Sequence, residues 1–297
     1  MREAARAIFR DCLGTAPRRV LAQSGGQTNF VFRVDGGEAS FILRMSQDDG
    51  KLDAFRKEGW AIERARTSGI PAPETLRVGS TADGVAYMLM RRTAGWVATR
   101  FGNSHDTLKQ LGGIARTLHE TTMPAFGTRF SHDDPPRRGW GDFLSEEFRL
   151  DERVAQLRGL GLVDEPRALR ITQILRDLGE GRDARLNHGD LRLKNVLVDV
   201  AGNVNAVIDW ETATAAPAPE WDLALALHDL SIDQKDAFVD GYGLDPRLLL
   251  SLGPVLAALN MLHYAPFAAA AARDGDDTAL QQYRRRFGRL YDLYSVD

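Results

Sequence analysis

Asp190, Asn195 and Asp209 fall within one stretch, HGDLRLKNVLVDVAGNVNAVIDWE, running from His188 to Glu211. Two carboxylates and an amide at these intervals can supply a general base and two oxygen ligands for a hard cation, which phosphoryl transfer requires. Residues 196–200 and 204–208 are two short β-rich runs around Ala201-Gly202-Asn203, a turn-like tripeptide, so they read as a hairpin. Asn195 before the first strand and Asp209 after the second should then lie side by side at its open end. An amide oxygen beside a carboxylate suits Mg²⁺, which takes few protein ligands and completes its octahedron with water and phosphate oxygens. Asp190, on the loop entering the hairpin, is placed to orient a substrate hydroxyl and accept its proton, and Arg192 adds a cation nearby. His188 reads as a residue that fixes the loop by hydrogen bonding.

The elements that must position this stretch change character along the chain. Residues 1–93 read as a small antiparallel β-lobe interrupted by one helix, with strands expected at 29–34, 41–45, 75–78 and 85–90. Gly36-Gly37 and Asp83-Gly84 supply hairpin turns, and 53–68 reads as a helix closed by Gly69, with Pro71 shortly after. Phe55, Glu58, Ile62 and Ala65 share one face of that helix, so Glu58 sits in an apolar stripe and needs a partner; the strand FILRM offers Arg44. Residues 94–297 read as mainly helical, with patterns at LKQLGGIARTLHE and at 140–152, 165–179, 220–230 and 276–294. His119 reads as a core or loop-supporting histidine.

HGDLRLKN followed by VIDWE resembles the catalytic loop and metal-binding segment of the aminoglycoside phosphotransferase family, small-molecule relatives of the protein kinases. The resemblance implies a protein-kinase-like two-lobed α+β fold, a small antiparallel β-lobe plus a larger mainly helical lobe, with Asp190 as base and Asn195 and Asp209 on Mg²⁺. It further implies that Arg44 and Glu58 pair to hold nucleotide phosphates, where the family's commonest residue is Lys rather than Arg. Ser24, Gly25, Gly26 and Thr28 form a loop whose backbone can approach phosphate, and the run from Met90 to Gly95, including Arg92, is a natural hinge offering main-chain groups to the base of ATP or GTP. Lys194 departs from the glycine the family often has there, and Arg91 from an acid.

Beyond VIDWE the family's acidic turn is replaced by Ala216-Pro217, while Asp222-Leu223-Ala224 are retained; Asp222 reads as an acceptor of backbone N–H groups near a helix start. Glu211 is the candidate for acceptor binding, followed by Glu146, Glu147 and Glu220, each with a solvated surface role as the alternative. The reading is a kinase that transfers the γ-phosphoryl group of a nucleoside triphosphate to a small-molecule hydroxyl, an aminoglycoside first, in keeping with antibiotic resistance. A metabolic kinase for an amino alcohol or sugar derivative, and a nucleotide-binding module without transfer activity, are the alternatives.

Composition limits what else the chain can be. Its 297 residues, 43% hydrophobic and 27% charged, are those of an ordinary globular protein with a large core. Net charge is −3, which argues against a nucleic-acid partner, and RRRFGR at 284–289 reads as a solvated helix face. Residues 1–93 carry 15 Lys and Arg against 11 Asp and Glu, and residues 94–297 carry 23 against 30, so the second part is acidic and could attract a polycationic acceptor. A single cysteine, Cys12, and a charged N-terminus point to a reducing cytoplasm. No membrane partner is expected, because the alanine-rich run after His263 is interrupted by Pro266.

Overall fold

Apolar and polar side chains alternate along the first strands, and a period of two gives their sheet two different faces. The computed structural model describes residues 1–23, 30–100, 104–130, 138–228 and 230–287. Helix α1 (Arg2–Leu13) precedes strands β1 (Arg19–Ala22), β2 (Phe30–Asp35) and β3 (Ser40–Ser46); α2 (Lys51–Thr67) follows, then β4 (Thr75–Ser80) and β5 (Ala86–Arg91). The strands form an antiparallel sheet in the order β1-β2-β3-β5-β4. Val20, Phe32, Val34, Phe41, Leu43, Met45 and Leu89 pack with Ala5, Ile8 and Phe9 of α1. The intervening positions of β3 face the other way, which carries Arg44 to the α2 side of the sheet.

The chain divides into two compact units. The first gathers Met1–Thr107, a short segment around Arg129 and Phe130, and Leu193–Ala213; the second holds Leu108–Thr128, the described residues of 138–192, and 214–287. The hairpin that the sequence places after Asp190 is therefore part of the N-terminal unit: β6 (Trp96–Val97), β8 (Val196–Val198) and β9 (Val204–Val207) make a small antiparallel sheet.

The second unit is helical: α3 (His105–His119), α4 (Trp140–Asp142), α5 (Leu150–Gly159), α6 (Glu165–Leu178), α7 (Glu220–Ala226), α8 (Ile232–Tyr242), α9 (Pro246–Arg273) and α10 (Asp277–Phe287), with β7 (Arg185–Asn187) paired to β10 (Thr214–Ala216). Gly112 and Gly241 let α3 and α8 approach closely, since a Cβ at Gly112 would lie 2.0 Å from the Phe238 carbonyl and one at Gly241 1.9 Å from that of Lys109.

Two expectations are corrected here. The helix expected over 140–152 is interrupted: a π-turn, Phe143–Glu147, follows α4, and Arg149 turns left-handed (φ 57°) before α5 begins. The apolar run around Pro266 is not broken either, because α9 continues through both Pro254 and Pro266. Pro266 has no N–H for the Leu262 carbonyl, and Arg153 Nη1 donates to that oxygen instead at 2.8 Å. Burial lowers the Arg153 pKa to about 10. By length and composition α9 could cross a membrane, yet its Leu256, Leu259, Leu262, Ala265 and Ala268 are buried and it packs against α5, α6, α7 and α10. It is the core helix of its unit.

Candidate functional site

In the N-terminal unit the hairpin is closed by a residue the sequence reading did not single out. Asp199 accepts from the backbone N–H groups of Ala201 (2.8 Å) and Asn203 (2.9 Å) and from the Asn203 amide (2.9 Å). An Asp two residues before an Ala-Gly-Asn turn is an available signal for this Asx-type closure. Val196 faces Val207, and Ile208 N donates to Asn195 O at 2.9 Å, so the ladder ends with Asn195 directly opposite the residue before Asp209. Asp209 then turns left-handed (φ 67°, ψ 58°), a conformation Asp tolerates better than most residues. Trp210, fully buried and donating to Val207 O, anchors the turn.

Arg44 lies beside this hairpin end. Its Nη1 meets Glu58 Oε1 at 2.5 Å, its Nη2 meets Glu211 Oε2 at 3.1 Å, and Lys51 Nζ reaches the same Glu211 oxygen at 3.6 Å. Arg44 and Lys51 both stand 5.5 Å from the Phe55 ring centre. Burial alone would lower the Arg44 pKa, but the charges of Glu58, Glu211 and Asp209 raise it. Burial raises that of Glu58, Arg44 opposes this, and Asp209 and Glu211 add to it.

Met90 is buried on β5; Arg92 donates its backbone N–H to Ser40 O at 2.9 Å and leaves its side chain exposed. Arg91 pairs with Glu74 at 2.8 Å. Ser24, Gly25, Gly26 and Thr28 lie outside the described residues.

In the second unit, the loop after β7 is held by one carboxylate. Asp222 on α7, wholly buried, accepts from His188 N (2.9 Å) and Gly189 N (2.6 Å) and meets His119 Nε2 at 3.1 Å. His119 Nδ1 is 3.1 Å from the Tyr242 hydroxyl, whose pKa burial and the nearby acids push up to about 12. His188 is fully buried, and its Nδ1 accepts from Asp190 N at 3.2 Å. Histidine and aspartate thus set the backbone of the loop, leaving the Asp190 carboxylate to pair with Arg192 Nε, while Arg192 Nη1 donates to the Tyr264 hydroxyl at 3.2 Å.

The candidate acids of this unit are engaged. Glu220 is buried and takes both Arg182 nitrogens at 2.7 and 2.9 Å, and Glu147 accepts from Thr128 N and Oγ1 at 2.6 Å each and pairs with Arg138. Neither is solvated; a bidentate guanidinium and two short donors offset the cost of burying them. Glu146 is exposed and also pairs with Arg138. The arginines at 284–286 lie on α10, where Arg286 covers the Tyr264 ring at 4.4 Å.

Comparison with known proteins decides what this arrangement belongs to. Residues 20–259 match the model of the phosphotransferase enzyme family. The chain belongs to that family. An aminoglycoside 3'-phosphotransferase from Streptomyces fradiae is 28% identical over 240 residues, 73% of this chain and 82% of the relative. A hygromycin-B 4-O-kinase from Escherichia coli is 24% identical over 64% of this chain and 56% of its own. A solved ternary complex of an aminoglycoside phosphotransferase APH(4)-Ia variant with AMP-PNP and hygromycin B covers 96% of both chains with a TM-score of 0.67 at 19% identity. With that likeness the phosphotransferase has the protein-kinase-like α+β fold the sequence resemblance implies.

Proposed function

We propose that this phosphotransferase moves the γ-phosphoryl group of ATP or GTP to a hydroxyl of an aminoglycoside. The observation that carries the reading is the hairpin end, where the Ile208–Asn195 backbone bond sets Asn195 opposite the residue before Asp209, and the Asp209 carboxylate lies within electrostatic reach of Arg44. Oxygen donors of this kind fit Mg²⁺, and among the described residues no group of three or more His, Cys, Asp or Glu forms a cage that would suit a softer metal. Asn195 and Asp209 would hold the Mg²⁺, whose chemistry is to neutralise charge on the phosphates. Arg44, kept in place by Glu58, grips phosphate oxygens bidentately, and main-chain groups in the run from Met90 to Gly95 receive the base.

Asp190 takes the acceptor hydroxyl proton as that oxygen bonds to the γ-phosphorus, and the bond from phosphorus to the bridging oxygen breaks to release nucleoside diphosphate. Arg192, tied to Tyr264, fixes the Asp190 carboxylate for this work. Action in the cytoplasm, and a role in antibiotic resistance, accord with this reaction.

The aminoglycoside acceptor is supported by the name of the Streptomyces fradiae relative and by the acidic balance of residues 94–297. One observation favours a different hydroxyl, on an amino alcohol or sugar derivative: Glu147 and Glu220 are spent on Thr128, Arg138 and Arg182, which leaves Glu146 and Glu211 as the partly exposed candidates for binding ammonium groups.

A triphosphate-consumption screen over aminoglycosides and metabolic alcohols tests the proposal. Phosphorylation of an aminoglycoside is expected, and turnover confined to an uncharged metabolite would overturn the acceptor. The metal assignment is tested separately: Asp209→Ala should abolish Mg²⁺-dependent nucleotide binding, and Asn195→Ala should weaken it less. Binding by the Asp209 variant that stayed fully Mg²⁺-dependent would remove the hairpin-end site.

A further inference from the structure

Glu211 Oε2 is shared by two cations, the Arg44 fork at 3.1 Å and the Lys51 ammonium at 3.6 Å, and both cations face the Phe55 ring. A carboxylate oxygen held between a guanidinium and an ammonium occupies the same electrostatic position that a phosphate oxygen would occupy. The two acids that touch Arg44 differ in accessibility. Glu58 has a side chain only 2% exposed, whereas that of Glu211 is 38% exposed and sits on a short turn after Asp209. Glu211 can leave Arg44 for water without stranding a buried charge; Glu58 cannot.

Lys51 is also placed against the preference of its own helix. It is the first residue of α2, where the unpaired N–H groups disfavour a cation, and its one described ion pair is with Glu211. With Arg44 on the strand, this part of the protein gains from Lys51 the compact point charge that a planar guanidinium does not provide.

We infer that Lys51 is a phosphate-binding residue for the nucleoside triphosphate and that Glu211 holds the phosphate position between Lys51 and Arg44 in the empty protein, giving way when the polyphosphate binds. The inference rests on the nucleotide-binding reading of Arg44 above. It assigns Glu211 to the phosphate side of the reaction, not to acceptor binding.

Lys51→Met keeps the aliphatic stem over Phe55 and removes the charge, so it is the informative substitution, with Lys51→Arg as the rescue. Nucleotide affinity is measured calorimetrically on the full chain, with ATP and with GTP, once with Mg²⁺ and once with EDTA. Lys51→Met should weaken nucleotide binding by about 3- to 10-fold in both conditions and raise the nucleotide KM in Mg²⁺ by a similar factor, with Lys51→Arg recovering only part of the loss. Glu211→Gln should tighten binding in EDTA by about 3-fold, because the competing anion is gone. Wild-type affinity in Lys51→Met while Arg44→Ala binds weakly would overturn the inference and leave the nucleotide site standing. Unchanged affinity in Arg44→Ala as well would overturn the site itself. Weaker EDTA binding in Glu211→Gln would overturn the place-holding role of Glu211.

Discussion

Glu58 and Asp222 are both fully buried carboxylates, one in each unit, yet their acidities move in opposite directions. Burial works against the charged form of each. At Asp222 it is outweighed by the His119 hydrogen bond and charge, by His188, and by the backbone N–H of His188, so the pKa falls below the ordinary carboxylate value. At Glu58 the main compensation comes from Arg44, a cation whose charge is shared with Glu211 and Asp209, and the pKa rises. A carboxylate saturated by fixed backbone donors is scaffold. One that depends on a single contested cation is costly to bury, and the proposed phosphate role of Arg44 would account for its being kept.

The largest effect should come from the side chain that the Asp222 scaffold positions. Asp190→Asn keeps the loop and removes the base, so turnover should fall by about 10²-fold or more while nucleotide affinity stays near wild type. Near-normal turnover would end the base assignment, and a parallel loss of nucleotide binding would make Asp190 structural.

Next in size is the scaffold itself. Asp222→Ala leaves the N–H groups of His188 and Gly189 buried without their acceptor and should cost about 3 kcal/mol, read from the urea midpoint. Because its folded pKa is depressed, Asp222 contributes stability that is complete above the ordinary carboxylate pKa and lost as pH falls through the folded value. Asp222→Asn should therefore flatten the acid limb of the stability curve, and an unchanged acid limb would contradict the depressed pKa.

Glu58→Gln should behave differently. The folded Glu58 pKa is raised, so its contribution is complete below the ordinary value and is lost as pH rises through the folded one. An uncharged amide escapes that loss, and stability at neutral pH should stay within about 1 kcal/mol of wild type. Nucleotide affinity should nevertheless drop, because Arg44 loses its deepest anchor. Destabilisation as large as that of the Asp222 variant would erase the contrast between the two carboxylates.

The smallest expected effect is long-range. If the acidic balance of residues 94–297 steers a polycation, kcat/KM for an aminoglycoside should fall by about 3-fold between low and moderate salt, and a neutral acceptor should show no such slope. Equal slopes for both would confine the carboxylates to solubility.

Much of this protein is decided locally. The hairpin from Val196 to Val207, the meeting of Asn195 with the Asp209 turn, and the strand and helix that carry Arg44 and Glu58 all follow from short-range periodicity and turn chemistry. The loop-fixing role of His188, whose Nδ1 accepts from Asp190 N, is equally local; that Asp222 accepts from backbone N–H groups is legible, but that they belong to His188 and Gly189 is decided by packing.

Tertiary structure decided the rest, because it depends on which distant residues meet. The sequence offers Glu147 and Glu220 as acids but not the arginines, Arg138 and Arg182, that neutralise them. It presents Pro266 as a break in an apolar run, and only packing supplies Arg153 to the carbonyl that the proline leaves without a donor. It shows Glu211 beside Asp209, the proposed metal ligand, while the fold turns that side chain back onto Arg44 and Lys51, 167 and 160 residues earlier in the chain. Spacing fixes what each residue can do; the partner that long-range packing delivers fixes what it is left free to do.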